Sequence, residues 1–324
     1  MKLKSLFILL FKGIVTLVPA WFVWKNIQDL PGLESAHFQA VVSSLHGGWL
    51  LLALLALMIS HFLGAAQWRM LLVTQGVKMS YKEVTRVYWV GLFFNNFMPG
   101  NIGGDLKRIY DIKAESGEKL GAGVSATVFD RLFGLFFLNA LALAVGALFF
   151  IWDPKQAPFL VPSLLVFAGF CLLFAALFSR RIGLIFESIV RKVLPSRFAD
   201  RFIGLRDRFY LFRKIDLWWK ILVFSAVTQS LRVMVHWLSG MSLGVDIAVS
   251  WYFYFIPIIA IVSALPISVG GFGPREFLAQ TLFGRVGVGA IESVVIQFLA
   301  YGVSLIVSLF GAVLFLTRSR RTET

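Results

Sequence analysis

Phe94-Asn95-Asn96-Phe97-Met98-Pro99-Gly100-Asn101-Ile102-Gly103-Gly104-Asp105-Leu106-Lys107-Arg108 is an apolar, aromatic run that stops at a proline, opens into glycines and restarts with charge. The pattern recurs at Ala264-Leu265-Pro266-Ile267-Ser268-Val269-Gly270-Gly271-Phe272-Gly273-Pro274-Arg275-Glu276. Aligned on their prolines, both read Pro-x-x-(Ile/Val)-Gly-Gly, and Arg108 falls opposite Arg275. Proline removes a backbone donor and glycine tolerates open backbone, so each motif interrupts a helix. Two interrupted helices in a very apolar chain point to a membrane pathway built at the breaks.

Working outward, the composition excludes an ordinary soluble domain. The mean hydropathy is +0.81, and 58% of the 324 residues are hydrophobic. Several runs reach the ~20 apolar residues that cross a bilayer. Residues 1–324 therefore read as a single polytopic membrane domain, with motif-bearing halves at about 1–152 and 153–324. The net charge of +14 suggests nucleic acid, but no RNA- or DNA-binding motif accompanies it and the basic residues flank apolar spans. Cys171 is the only cysteine, so no intramolecular disulfide forms.

The expected fold is all-α and integral to the membrane. Six transmembrane helices are expected at residues 5–24, 49–68, 122–152, 159–178, 218–243 and 290–316. A cleaved signal peptide is the competing reading of the first, with Val18-Pro19-Ala20 as the cleavage site and Lys12 interrupting the apolar region. The two broken segments, at 87–98 and 251–265, are too short to cross comfortably. They read as re-entrant hairpins, entering from opposite faces in an inverted-repeat arrangement. Eight crossings is the alternative, with every hairpin arm spanning fully. With both termini cytoplasmic, 24 of the 31 Lys/Arg lie on the inside, as the positive-inside bias requires. Within the basic loop 179–220, Phe198, Phe202, Leu205, Phe209 and Phe212 recur at helical spacing among arginines. An interfacial helix on an anionic inner leaflet is the expectation.

The restart after each break is where chemistry is expected. Asp105 sits where an N-cap belongs, and Gly273 with Pro274 makes a good Ncap–N1 pair. Helix amino ends attract anions, and Arg108 and Arg275 carry guanidinium forks suited to phosphate. The plain alternative is glycines that pack helices closely and arginines that snorkel. Arg232 interrupts an otherwise apolar span, with His236 one turn away, and an intramembrane charge demands a partner or a wet cavity. Asp130 and Arg131 are buried or interfacial depending on where their span begins. Glu292 and Gln297 on the last span are placed to face the same cavity. There is no Gly-x-x-x-x-Gly-Lys-Ser/Thr run, no His-Glu-x-x-His, no Cys-x-x-Cys and no Gly-x-Ser-x-Gly elbow. No ATP hydrolysis, cofactor or metal is expected, and none of the four histidines has ligand spacing.

At Pro99 through Asp105, at Ser125 through Asp130-Arg131-Leu132-Phe133-Gly134, and at Leu265 through Glu276, the chain resembles the lysylphosphatidylglycerol synthase transmembrane region family. This is the flippase domain of the multiple peptide resistance factor proteins. The resemblance covers nearly the whole chain. It implies a multi-pass protein of the bacterial cytoplasmic membrane that moves aminoacylated phosphatidylglycerol between leaflets. By motif, Asp105, Arg108, Asp130, Arg131, Arg275 and Glu276 are the positions it marks. The resistance factors continue into a soluble aminoacyl-transferase domain, whereas this sequence stops at Thr324. The reading is a stand-alone member, and some stand-alone relatives lie near hopanoid and polyprenyl-linked pathways.

The expected function is thus translocation of a phosphate-containing lipid, not catalysis. The phosphate rests between the two helix ends, clamped by Arg108 and Arg275. Asp105, Asp130, Arg131, Arg232, Gly270, Gly271 and Glu276 line the site. Pro99, Gly103, Gly104, Pro266, Gly273 and Pro274 make the breaks. Membrane lipids are the partners, with a lipid-synthesising enzyme as a further one. An integral-membrane lipid-modifying enzyme or transferase subunit, and a lipid-enzyme scaffold, are the alternatives.

Overall fold

The computed structural model describes residues 45–97, 103–116, 120–193, 195–213, 215–265 and 272–317, together with Trp21 and Ser43. The expected first span at 5–24 and the loop after it fall almost wholly outside these residues. So do Pro99, Pro266, Gly270 and Gly271.

Every regular element among the described residues is helical. In chain order they are α1 (Gly47–Thr74), α2 (Tyr81–Phe97), α3 (Gly103–Ser116), α4 (Leu120–Trp152), α5 (Leu160–Phe178), α6 (Arg180–Val193), α7 (Ser196–Phe209), α8 (Ile215–Ser242), α9 (Val249–Ala264), α10 (Pro274–Gly284) and α11 (Ala290–Leu316). Short 3₁₀ turns follow α4 at Pro154–Gln156 and α7 at Tyr210–Arg213. Five of the helices are long and apolar enough to cross a membrane: α1, α4, α5, α8 and α11. Even the shortest, α5 with 19 residues, measures about 28 Å at 1.5 Å per residue. The protein is an all-α integral membrane protein.

The helices beside the two breaks are shorter. α2 has 17 residues and starts earlier than the expected Val87, because Ser80 and Glu83 form a reciprocal cap. The Ser80 N–H donates to Glu83 Oε2 at 2.8 Å, and the Glu83 N–H donates to Ser80 Oγ at 3.3 Å. α9 and α10 have 16 and 11 residues. α3 carries Asp105, Lys107, Arg108, Asp111 and Lys113 within its 14 residues, too much charge for a lipid-facing span.

The chain packs into two compact units. One takes the residues up to Ser60, Leu92–Gly104 and the chain from Ser230 onward; the other takes His61–Gly91 and Asp105–Gln229. The core of the second is aromatic. Phe129 and Phe133 stack at 5.9 Å between ring centroids, and Phe212 lies 4.7 Å from Phe129. Phe174, Phe178 and Trp218 close around them.

That core corrects the reading of the basic loop. Phe209 and Phe212 were expected to face lipid but turn inward, and Phe212 is fully buried. Of that aromatic set, Phe198 is exposed. Arg206 is also buried, its guanidinium paired with Glu187 and its Nε donating to the Ala176 carbonyl at 3.3 Å. The exposed apolar stripe of this region belongs instead to α6, at Ile182, Ile185, Ile189 and Val193. Periodicity predicts that a helix has an apolar face; it does not say whether protein or lipid covers it.

Candidate functional site

The residues marked by sequence divide between the two units. In the unit containing α4, Asp105 and Arg131 form an ion pair. The Asp105 side chain is buried there, whereas that of Arg131 is 47% exposed. α3 begins at Gly103, so Asp105 lies inside the first turn instead of at the N-cap. Arg108 is 5% exposed. Its Cζ stands 3.9 Å from the Tyr88 ring centroid and 5.5 Å from that of Trp68, with Asp105 4.0 Å from Nη1. A β-carbon at Gly91 would overlap Arg108 Cγ and Nε, so that glycine makes the notch in which the side chain lies. Stacking on ring faces suits a weakly hydrated, delocalised cation. Asp130 points elsewhere: its Oδ1 accepts from Gln67 Nε2 at 2.8 Å, and Gln67 Oε1 accepts from Ser225 Oγ at 3.1 Å.

The other unit holds residues flanking both breaks. At the first, Asn95 Oδ1 accepts from the Gly104 N–H at 2.9 Å, tying the start of α3 back to the end of α2. Asn96 Nδ2 donates to both the carbonyl and the hydroxyl of Ser304 on α11, at 3.2 Å each. At the second, Gly273 has φ +86°, a backbone that glycine adopts without strain. The Glu276 carboxylate reaches back to the Gly273 N–H at 2.8 Å. Glycine has no side chain to reciprocate, so this is half of a capping box. The same carboxylate takes Arg275 Nε at 2.9 Å and Nη2 at 2.6 Å. Among the described residues Arg275 Nη1 makes no hydrogen bond. The Arg275 guanidinium lies over two rings, with Cζ 4.9 Å from the Phe272 centroid and 5.3 Å from that of Tyr301. Those rings meet edge to face at 5.3 Å.

Tyr301 and Ser304 are one turn apart on α11. The end of α2 and the start of α10, which flank different breaks, therefore dock on the same turn of one helix. The span α8 adds to this neighbourhood. His236 is within electrostatic reach of Arg275, and its Nδ1 contacts the Arg232 carbonyl oxygen at 3.1 Å. That oxygen only accepts, so Nδ1 carries a hydrogen. The Arg232 side chain is half-buried and has no ion pair or hydrogen bond among the described residues. Glu292 does not join this group: its carboxylate folds back over Gly289 at the start of α11.

Sequence reading missed Asn96, Ser304, Tyr301 and Phe272 as contact residues. A signal was present for two of them. Ser293, Gln297, Tyr301, Ser304 and Ser308 fall within an arc of about 80° on the last span at 100° per residue.

The fold defines a class: a multi-pass helical membrane protein with buried polar and charged side chains among apolar helices. The family model for the lysylphosphatidylglycerol synthase TM region matches residues 8–312, and the chain belongs to that family. Two archaeal relatives carry the name UPF0104 membrane protein. The one from Methanothermobacter thermautotrophicus is 25% identical over 77% of this chain and 78% of its own length. The one from Pyrococcus horikoshii is 27% identical over 83% of this chain and 86% of its own. No solved structure matches.

Proposed function

We propose that the protein moves a phosphate-bearing lipid between leaflets without hydrolysing ATP, and that Arg275 and Arg232 receive the phosphate. The observation that carries this reading is the docking of both break-flanking segments on one turn of α11, through Asn96 with Ser304 and Arg275 with Tyr301. Arg275 Nη1 and the Arg232 guanidinium are left with donors to offer an anion. Membership of a family named for lipid chemistry agrees with a lipid cargo. The acyl chains stay in the bilayer while the headgroup passes the polar face of α11, and re-entrant hairpins from opposite leaflets supply the movable arms. Transfer is downhill or ion-coupled. In this reading the protein sits in the cytoplasmic membrane with both termini inside, and it acts as a translocase, not as an enzyme.

The test is leaflet exchange of a fluorescent phosphatidylglycerol in vesicles containing the purified protein. Arg275→Lys keeps the charge and loses the fork, and Arg232→Met removes the charge on α8. Each is expected to slow exchange at least tenfold at equal protein level and unchanged helicity. Exchange at the wild-type rate in both variants refutes the assignment. Covalent modification of the lipid by the purified protein would favour the enzyme reading instead.

A further inference from the structure

Gln297 lies on the same face of α11 as Tyr301 and Ser304, one turn closer to the start of the helix. It is 1% exposed, and among the described residues neither its Nε2 nor its Oε1 has a hydrogen-bond partner. Among the described residues it is the buried amide with both polar atoms shut away from solvent and from any partner. Gln67 uses both of its ends, on Asp130 and Ser225. Gln75 uses one end, its Nε2 donating to the Arg208 carbonyl, and the buried oxygens of Gln229 and Asn139 also have no partner among the described residues. Inside a span, solvent does not make up the deficit, and a leucine or methionine would fill the same volume without cost. An amide kept at such a position calls for a partner that comes and goes.

The chemistry of that partner follows from the two unmatched ends. Oε1 needs a donor and Nε2 needs an acceptor. A phosphate oxygen only accepts, and an ammonium only donates. An alcohol hydroxyl does both. Resting on the translocase reading above, we infer that Gln297 reads a hydroxyl on the headgroup of the lipid whose phosphate is held at Arg275, and so sets which polar lipids the site prefers. A site built around a hydroxyl discriminates strongly against the analogue that lacks it, because the buried amide is then left unpaired.

The experiment compares two fluorescent lipids of equal charge as trace components of phosphatidylcholine vesicles. Phosphatidylglycerol has headgroup hydroxyls, and phosphatidylpropanol has none. Leaflet exchange is measured for wild type, Gln297→Met and Gln297→Leu, alongside mass spectrometry of the lipids each purified protein retains from an equal mixture. Both replacements are apolar and close in volume, so the packing of α11 survives. Wild type is expected to favour phosphatidylglycerol about tenfold in both readouts, one good hydrogen bond's share. Both variants are expected to erase the preference by slowing phosphatidylglycerol to the phosphatidylpropanol rate. A preference that persists in the variants, or an equal slowing of both lipids, overturns the inference and leaves the translocase reading standing; the second result makes the amide a partner of bound water. If wild type moves neither lipid, the translocase reading fails, and retention alone decides the role of Gln297. A retained-lipid preference that the variants abolish supports it, and no preference overturns it.

Discussion

Neutralising Glu276 is the sharpest test of how the second break is held. Its carboxylate accepts three hydrogen bonds, at 2.6 and 2.9 Å from Arg275 and at 2.8 Å from the Gly273 N–H. Both side chains are largely buried, so solvent screening discounts the pair only slightly. In Glu276→Gln one oxygen becomes an NH₂. Whichever way the amide turns, a donor then faces a donor, either on Arg275 or on Gly273. Breaking a buried pair while leaving the other charge in place costs ~3–5 kcal/mol, and a lost N-terminal cap costs ~0.5–2 kcal/mol. Since glutamine keeps one acceptor, we expect about 3 kcal/mol. Arg275→Met with Glu276→Gln removes both charges and lets the amide oxygen face Gly273. The double variant should therefore recover about 2 kcal/mol relative to the sum of the single ones. Reversible unfolding of the four proteins in nanodiscs measures the cycle. A coupling below about 0.5 kcal/mol would refute the argument that this carboxylate, and not packing alone, sets the start of α10.

Further expectations follow from particular contacts. Gly91→Val drives a side chain into Arg108 and should cost ~1–3 kcal/mol, whereas Gly47→Val, with nothing within 4 Å of a β-carbon, should be silent in the same unfolding measurement. Phe212→Ala empties the aromatic core and should cost ~3–5 kcal/mol; Phe198→Ala, at an exposed ring, should change stability by less than ~0.5 kcal/mol. Gln67→Glu sets a second carboxylate against Asp130. It loses the hydrogen bond from Gln67 Nε2 and adds like-charge repulsion, so it should cost ~1–3 kcal/mol in the same unfolding measurement.

The chain's apolar runs were enough to decide an all-α membrane protein, because span length and backbone hydrogen bonding within a helix are local properties. The ends of α11 are as read from residues 290–316, for the same reason. Fates of side chains were not local. Arg108 and Arg275 occupy matching places in their motifs, yet one is stacked on Tyr88 and Trp68 while the other is held by its neighbour Glu276 over Tyr301. Phe209 and Phe212 carry the periodicity of a lipid-facing helix and instead fill a core around Phe129. Asn96 and Ser304 are 208 residues apart. A sequence sets which groups a helix presents on each face; which surface arrives to meet that face depends on distant segments, and only the tertiary packing decides it.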